Sequence, residues 1–290
     1  MTLRHFKIFM TVCDKMSMTA AAEDLFMSQS AVSQAIADLE RHYSVRLFER
    51  LSRKLFLTKA GQKLQSYGRH IVNINTEVER DMKTLRHNGS IRIGASVTVG
   101  SYILPKIISS FGKSNPKADI EVFEDNTAVI ENMILKDQID IALVEGETTS
   151  SDVLSYEFME DELVLICSTH HRFAGLNIIE PAELEAEKFI IREKGSGTRK
   201  TFEDKMLANN LKWKATWTCN NSDTIKMAVM ENQGVAVISK RAVVNEIENG
   251  LLYQTSIKGI EFKRQFKIIY HRNKYLTQSI KDFIVLCTNS

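Results

Sequence analysis

Apolar residues in the first 43 positions recur at helical spacing and predict three short helices. Leu3, Phe6, Phe9, Met10 and Cys13 form one face of the first. Ser17-Met18-Thr19 offers capping residues ahead of Ala20-Ala21-Ala22-Glu23-Asp24-Leu25, a run of strong helix formers. Phe26-Met27 makes a turn, and Ser28 caps a third helix running to about Tyr43. Val32, Ile36, Leu39 and Tyr43 stand at i, i+4, i+7 and i+11 and form its inward stripe. Ser30, Ser33, Gln34, Ala37 and Arg41 fall on the opposite side. Small and hydrogen-bonding groups there replace the long charged side chains of an ordinary solvated face, so this face is built for close approach.

The pattern then changes twice. Between Val45 and Thr58, two apolar segments flank a polar turn rich in Arg and Lys, which predicts a small β-ribbon or wing. From Ala60 the period becomes heptad: Ala60, Leu64, Tyr67, Ile71, Ile74 and Val78 are separated by 4, 3, 4, 3 and 4 residues. Met82 and Leu85 continue the seam with a small shift, and Asn88-Gly89 closes the helix. Such alternation predicts a coiled-coil helix that pairs with a second copy of the chain; a long helix lying on its own domain is the alternative.

The remaining residues alternate strands with helices. Strands are expected at 91–95, 119–123, 139–144 and 163–167, with helices at 100–114 and 128–136. A second set places strands at 189–191, 215–218 and 235–239 and helices at 198–209 and 223–231. A last strand at 266–270 and a helix at 277–286 follow. Repeated β-α units imply right-handed crossovers, mostly parallel sheets and ligands at the carboxyl ends of the strands. If the last elements return to the first sheet, two lobes are joined by two crossing strands with a cleft between them.

Charge sharpens this division. Residues 1–88 carry 14 Lys/Arg against 9 Asp/Glu, a net of +5, whereas residues 89–290 carry 24 against 27, a net of −3, together the chain's +2. A basic head on a mildly acidic body predicts that a polyanion meets the head alone. The 43% hydrophobic content is ordinary for a globular protein, and no apolar run approaches the roughly 20 residues of a membrane helix. Residues 1–7 lack the features of a secretion signal, so a cytoplasmic chain without membrane partners is expected. Cys13, Cys167, Cys219 and Cys287 are scattered, which predicts buried reduced thiols, and His170-His171 reads as a surface loop. No metal site, cofactor or catalytic residue is expected.

Candidate chemistry lies in two places. In a helix-turn-helix the first turns of the second helix enter the major groove of double-stranded DNA. Ser28, Gln29, Ser30, Ser33 and Gln34 occupy those turns, where a Gln paired bidentately with adenine gives about 1–3 kcal/mol of discrimination. Arg50, Arg53 and Lys54 in the wing suit phosphate or the minor groove. The second place is the cleft. Ser96 and Thr98 follow the first strand, and Gly195-Ser196-Gly197-Thr198-Arg199 adds flexible backbone, hydroxyls and a fixed cation. The Gly-Ser-Gly-Thr-Arg stretch lacks the Lys of a phosphate-binding P-loop, the Rossmann spacing and the Gly-x-Ser-x-Gly arrangement, which argues against an enzyme. A solute-binding protein would explain the cleft but not the basic head.

Phe9-Met10-Thr11-Val12-Cys13, Ser17-Met18-Thr19-Ala20-Ala21-Ala22, Leu25-Phe26-Met27-Ser28-Gln29-Ser30-Ala31-Val32-Ser33, Ile36, Leu39-Glu40, Leu47-Phe48-Glu49-Arg50, Arg53 and Leu57-Thr58-Lys59-Ala60-Gly61 resemble, in order and spacing, the LysR-type transcriptional regulators. The resemblance extends over the whole chain. It implies a winged helix-turn-helix at 1–58, a dimerising linker helix at 59–88 and a two-lobed, periplasmic-binding-protein-like α/β domain at 89–290. Lobe I would take about 89–161 and 266–290, and lobe II about 162–265. It further implies a homo-oligomer, commonly a tetramer, that controls promoters in response to a small effector. The effector would be held by Ser96, Thr98, Asn126, Thr127, Thr198 and Arg199, and the hydroxyls, backbone N–H groups and Arg199 suit an anion. Three positions depart from the family's habit: Met16 and Ser44 replace frequent glycines, and Ser30 replaces a frequent proline. Ser44 is expected to carry strain where glycine permits a positive φ.

Overall fold

A computed structural model describes residues 1–51, 54–83 and 90–289, with the side chains of residues 77 and 80–83 excepted. Arg53, Leu85, Asn88, Gly89 and the side chain of Met82 therefore lie outside the described residues. The chain divides into two units: residues 1–87 with the short segments 135–137 and 272–276, and the remainder of the chain.

The first unit opens with the three expected helices, α1 (Leu3–Lys15), α2 (Met18–Asp24) and α3 (Gln29–Tyr43). Their apolar faces meet in one core, where Phe9, Val12, Val32 and Leu39 are fully buried. A two-stranded antiparallel hairpin follows, β1 (Phe48–Leu51) and β2 (Lys54–Leu57), and then the 25-residue helix α4 (Lys59–Lys83). Several motif residues act as local joints. The Glu40 carboxylate accepts from the backbone N–H groups of Leu47 (2.7 Å) and Phe48 (3.3 Å), which anchors the start of the hairpin. Thr58 accepts from Gly61 N–H and donates to the Arg46 carbonyl. A Cβ on Gly61 would collide with the Leu47 carbonyl oxygen, so only glycine lets α4 approach this closely.

The heptad seam of α4 has two fates. Ala60 and Leu64 pack against the core of their own domain, whereas Tyr67, Ile71, Ile74 and Val78 are exposed.

The second unit begins with β3 (Ile91–Ser96), α5 (Val97–Tyr102) and α6 (Leu104–Ser114). The single helix expected at 100–114 is thus two, with Pro105 in the first turn of α6, where a missing N–H costs nothing. Next come β4 (Ile120–Asp125), α7 (Thr127–Leu135), β5 (Ile141–Glu145), the 16-residue β6 (Val153–Ser168) and the short β7 (Ile178–Ile179). The second set comprises β8 (Lys188–Arg192), α8 (Gly197–Ala208), β9 (Lys214–Cys219), α9 (Ser222–Met230) and β10 (Ala236–Ser239). Helix α10 (Val244–Glu248), β11 (Leu252–Ile257), β12 (Phe262–His271) and α11 (Gln278–Thr288) complete the chain.

Strands run in the order β4-β3-β5-β12-β6-β11-β7, with β10 also on β6 and β8 paired in parallel with β9. The β4-β3-β5 group is parallel, as repeated β-α units require. Around β6 the sheet is antiparallel, because β10, β11 and β12 all run against it. This corrects the expectation of mostly parallel sheets. Strands β6 and β12 are the two crossings: β12 pairs with β5 through Phe266–Ile269 and with β6 along its whole length. A β-bulge between Phe266 and Lys267 interrupts that pairing. Helix α11 returns to the first lobe, with Phe283 edge-on to Phe111 of α6 at 5.5 Å. No described helix is long and apolar enough to cross a membrane.

Candidate nucleic-acid interface and interlobe cleft

Ser28 stands in extended backbone at the N-cap of α3, and its Oγ accepts from Ala31 N–H at 3.2 Å. The cap holds the first turn outward, so Ser28, Gln29, Ser30 and Gln34 are exposed and Ser33 is half-buried. These side chains form a local lattice: Ser28 Oγ lies 3.0 Å from Ser30 Oγ, Gln29 donates to Ser33 at 2.8 Å, and Gln34 donates to Asp38 at 2.9 Å. Each is an exposed bond that DNA could exchange for a base edge at little cost.

Arg50 and Lys54 stand on opposite strands of the hairpin and are both exposed. A groove of about 610 Å³ runs between this hairpin and the helices, lined by Ser17, Thr19, Gln29, Arg50, Lys54 and Phe56 among others. Two hydroxyls and two cations along one groove suit a phosphate backbone. The structure thus adds Ser17 and Thr19 to this face. In the sequence they signalled only a helix cap, a role Ser17 also fills by accepting from Ala20 N–H.

In the second unit, three of the expected cleft residues converge on one residue that the sequence did not single out. Glu145 ends β5 and is 1% exposed. Its Oε2 accepts from Ser96 Oγ at 3.0 Å, and its Oε1 accepts from Thr198 Oγ1 at 3.2 Å. Its own N–H donates to Ser96 Oγ, and its carbonyl accepts from Thr127 Oγ1 at 3.0 Å. Thr198 also accepts from Arg264 Nη1 at 2.9 Å. Arg264, on β12, directly faces Asp161 on β6 and donates to it through Nε at 2.7 Å, while Ser239 donates to the same carboxylate. Every strong acceptor in this buried network has a donor, which is what allows two carboxylates and a guanidinium to stay away from water.

The remaining expected residues divide. Thr98 is buried two residues on from Ser96, and Asn126 caps α7 by accepting from Val129 N–H at 3.1 Å. Arg199 is turned along its own helix: Nε donates to Glu203 at 2.7 Å, Nη1 donates to the Arg192 carbonyl at 3.2 Å, and the guanidinium lies over Trp213. These two donors bond to the protein itself. Arg192, at the carboxyl end of β8, is a buried cation that the sequence did not single out. The two lobes also touch through backbone, Ala128 N–H donating to the Gly195 carbonyl at 3.1 Å, and through Tyr102 of α5, which packs on the core around Ile225 and Val229.

All four cysteines are buried and unpaired; burial pushes the thiols of Cys13 and Cys287 up to about 12. His171 pairs with Glu187 at 3.1 Å, and no metal-holding group of three side chains occurs among the described residues.

Residues 3–62 match the model of the bacterial regulatory helix-turn-helix protein, lysR family, and residues 86–290 match the LysR substrate binding domain. The chain is 33% identical over 287 residues to the uncharacterized HTH-type transcriptional regulator YeiE of Escherichia coli K12, covering 99% of this chain and 97% of that one. Its fold is similar to the regulatory domain of CcmR from Synechocystis PCC6803 in complex with 2-PG (TM-score 0.65, 23% identity, 70% of this chain and 97% of that one). It is also similar to a full-length OxyR variant from Pseudomonas aeruginosa (TM-score 0.66, 18% identity, 100% and 94%). With both of its modules matched and the alignment to a regulator running nearly end to end, the chain belongs to the LysR family of bacterial helix-turn-helix transcription regulators.

Proposed function

We propose that the protein is a cytoplasmic, non-catalytic regulator: residues 1–58 bind operator DNA, 59–88 join two copies, and 89–290 sense a small anion between their lobes. The observation that carries the reading is the pairing of two features in one chain. An exposed, hydrogen-bonding first turn of α3 sits beside a basic hairpin, and a second unit brings hydroxyls from two lobes onto one buried carboxylate. The exposed apolar stripe Tyr67, Ile71, Ile74 and Val78 supports pairing through α4, because four such side chains at heptad spacing are costly to leave in water. The CcmR regulatory domain holds 2-PG, which supports a small-molecule effector for this fold.

Glu145 already engages Ser96 and Thr198, so an effector anion competes with a carboxylate built into the protein. Binding therefore alters how the lobes are held, and that change is the signal passed to the DNA-binding units. The test is retention of promoter DNA by the full-length protein over a salt series. A regulator loses affinity steeply as salt rises, because counterions are released from the phosphates. Retention that ignores salt, or none at all, would refute the reading.

A further inference from the structure

The segments 135–137 and 272–276 fold with the first unit, although the chain on either side of each belongs to the second. Both segments are fastened to α4 by polar side chains. Asn73 donates through Nδ2 to the Asp137 carbonyl at 3.2 Å and also to its carboxylate. Lys274 Nζ donates to Asp137 Oδ1 at 3.0 Å, His70 Nδ1 lies 3.6 Å from Oδ2, and Asn273 donates to Ser66 Oγ at 3.2 Å. The side chains of His70, Asp137 and Lys274 are each no more than 5% exposed. Asp137 is also held in left-handed backbone at φ 52°, a conformation that persists only where the surroundings fix it.

Apolar packing would hold a helix here at least as firmly. A buried ion pair adds little net stability, yet removing one partner leaves the other charge uncompensated. What such a cluster supplies is register: it is either made or broken, and gives α4 two discrete states rather than a continuum. The register matters because of what stands beside it. Ser66, His70 and Asn73 each precede by one residue Tyr67, Ile71 and Ile74 of the exposed apolar stripe. One residue is about 100° around a helix, so α4 carries its fastening and its proposed pairing seam on adjacent faces. Turning the first turns the second.

The same two segments continue into the strands that carry the cleft network. Strand β5 begins four residues after Asp137 and ends on Glu145, and β12 carries Arg264 and ends three residues before Lys274. The two strands pair antiparallel, Phe266 opposite Glu145 and Ile269 opposite Ala142. One hydrogen-bonded ribbon therefore has Glu145 and Arg264 toward one end, and its chain runs on from the other end into Asp137 and Lys274. The length of β5 between them is about 13 Å.

We propose that the Asp137 cluster is the joint by which the state of the interlobe network reaches α4, setting the rotation of that helix and thereby the placement of two paired DNA-binding heads. This rests on the regulator reading above and names the residues that carry its signal.

The test is a double-mutant cycle on full-length protein. It needs no effector, because Glu145→Gln itself disturbs the network by removing a charge while keeping its shape. The wild-type protein first selects an operator duplex from a randomised pool. Fluorescence anisotropy then gives Kd for wild type, Glu145→Gln, Asp137→Asn and the double variant. Sites this far apart in a fold ordinarily act independently. Glu145→Gln is expected to change Kd by about fivefold or more, and Asp137→Asn to shrink that change below about twofold. Thr198→Val, which removes one donor to the same carboxylate, serves as the cleft change if Glu145→Gln does not fold. Asn73→Ala leaves the Asp137–Lys274 pair in place and should shrink the change too, so a folding failure of Asp137→Asn leaves the joint testable. A change that persists at full size in every joint variant that folds, or a cleft variant that binds the duplex as wild type does, would overturn the proposal. If the wild type selects no duplex, the regulator reading falls and the joint with it; if it selects one and the cycle is additive, the reading stands without the joint.

Discussion

Gly197, the first residue of α8, lies against Glu145: a Cβ there would collide with the Glu145 carbonyl oxygen and stand 2.7 Å from its Cγ. The two residues come from different lobes, so a hydrogen atom in place of a methyl group sets how closely α8 approaches β5. Thr198 reaches the Glu145 carboxylate only because of that approach. Gly197→Ala must push α8 away or distort the end of β5. Overpacking of this kind costs about 1–3 kcal/mol. The expected outcome in a urea melt is a lower midpoint for the variant, and an unchanged midpoint would show the contact to be slack.

Two of the family departures noted in the sequence are backbone positions with a shared consequence. Met16 closes α1 at φ 47° and Ser44 closes α3 at φ 55°, both in the left-handed region. That conformation costs a residue with a Cβ about 1–2 kcal/mol, part of which glycine gives back in chain entropy. Met16→Gly and Ser44→Gly are each expected to stabilise the N-terminal domain by about 1 kcal/mol. Chemical denaturation of residues 1–83 followed by far-ultraviolet dichroism measures it, and a loss of stability would mean that the side chains contribute more than their backbones cost.

Elements whose partners are close in sequence were legible. The apolar periods of α1 to α3, the cap at Ser28 and the hairpin all follow from neighbours a few residues away. The cleft was legible in outline, because Ser96, Thr127 and Thr198 announce themselves as hydroxyls after apolar strands or beside glycine. What they bond to was hidden. Glu145 looks like the polar end of an apolar strand, and Arg264 and Asp161 are 103 residues apart in sequence and meet only because β12 lies antiparallel to β6. Arg199 drew attention by its glycine-rich setting, but helical geometry turns it toward Glu203, four residues on. Strand β11 was missed for a related reason: Leu252–Ile257 carries polar residues at several positions, and pairing with β6 rather than an apolar run makes it a strand.

Burial of the thiols makes stability fall at alkaline pH. The ordinary thiol value is 9.0, and desolvation raises Cys287 to about 12 in the folded protein. A group raised on folding contributes fully below its unfolded value and loses that contribution as pH climbs toward its folded value. Between pH 9 and 10.5 the loss for Cys287 reaches about 2 kcal/mol, from about 1.4 kcal/mol per pH unit. Cys287→Ala starts from a lower stability but should show a shallower decline across pH 8.5–10.5. Parallel slopes for the two proteins would place the Cys287 thiol in a wetter setting than the structure gives it.

On the proposed DNA-binding face, residues suited to positioning and residues suited to specifying are distinguishable by salt. Arg50 and Lys54 are exposed cations on the hairpin groove, suited to phosphate rather than to base edges. Removing either is expected to weaken binding to all sequences and to reduce the salt slope by about 1, one phosphate contact fewer. Gln34 is neutral, exposed in the second turn of α3, and bonded to Asp38 at 2.9 Å. Gln34→Ala should leave the salt slope as it is and cost about 1–3 kcal/mol on the operator alone. Fluorescence anisotropy with operator and scrambled duplexes over about 50–200 mM salt measures both quantities. If Gln34→Ala weakens the two duplexes equally, or if Arg50→Ala and Lys54→Ala spare the slope, the hairpin and the helix have exchanged the roles that their chemistry assigns.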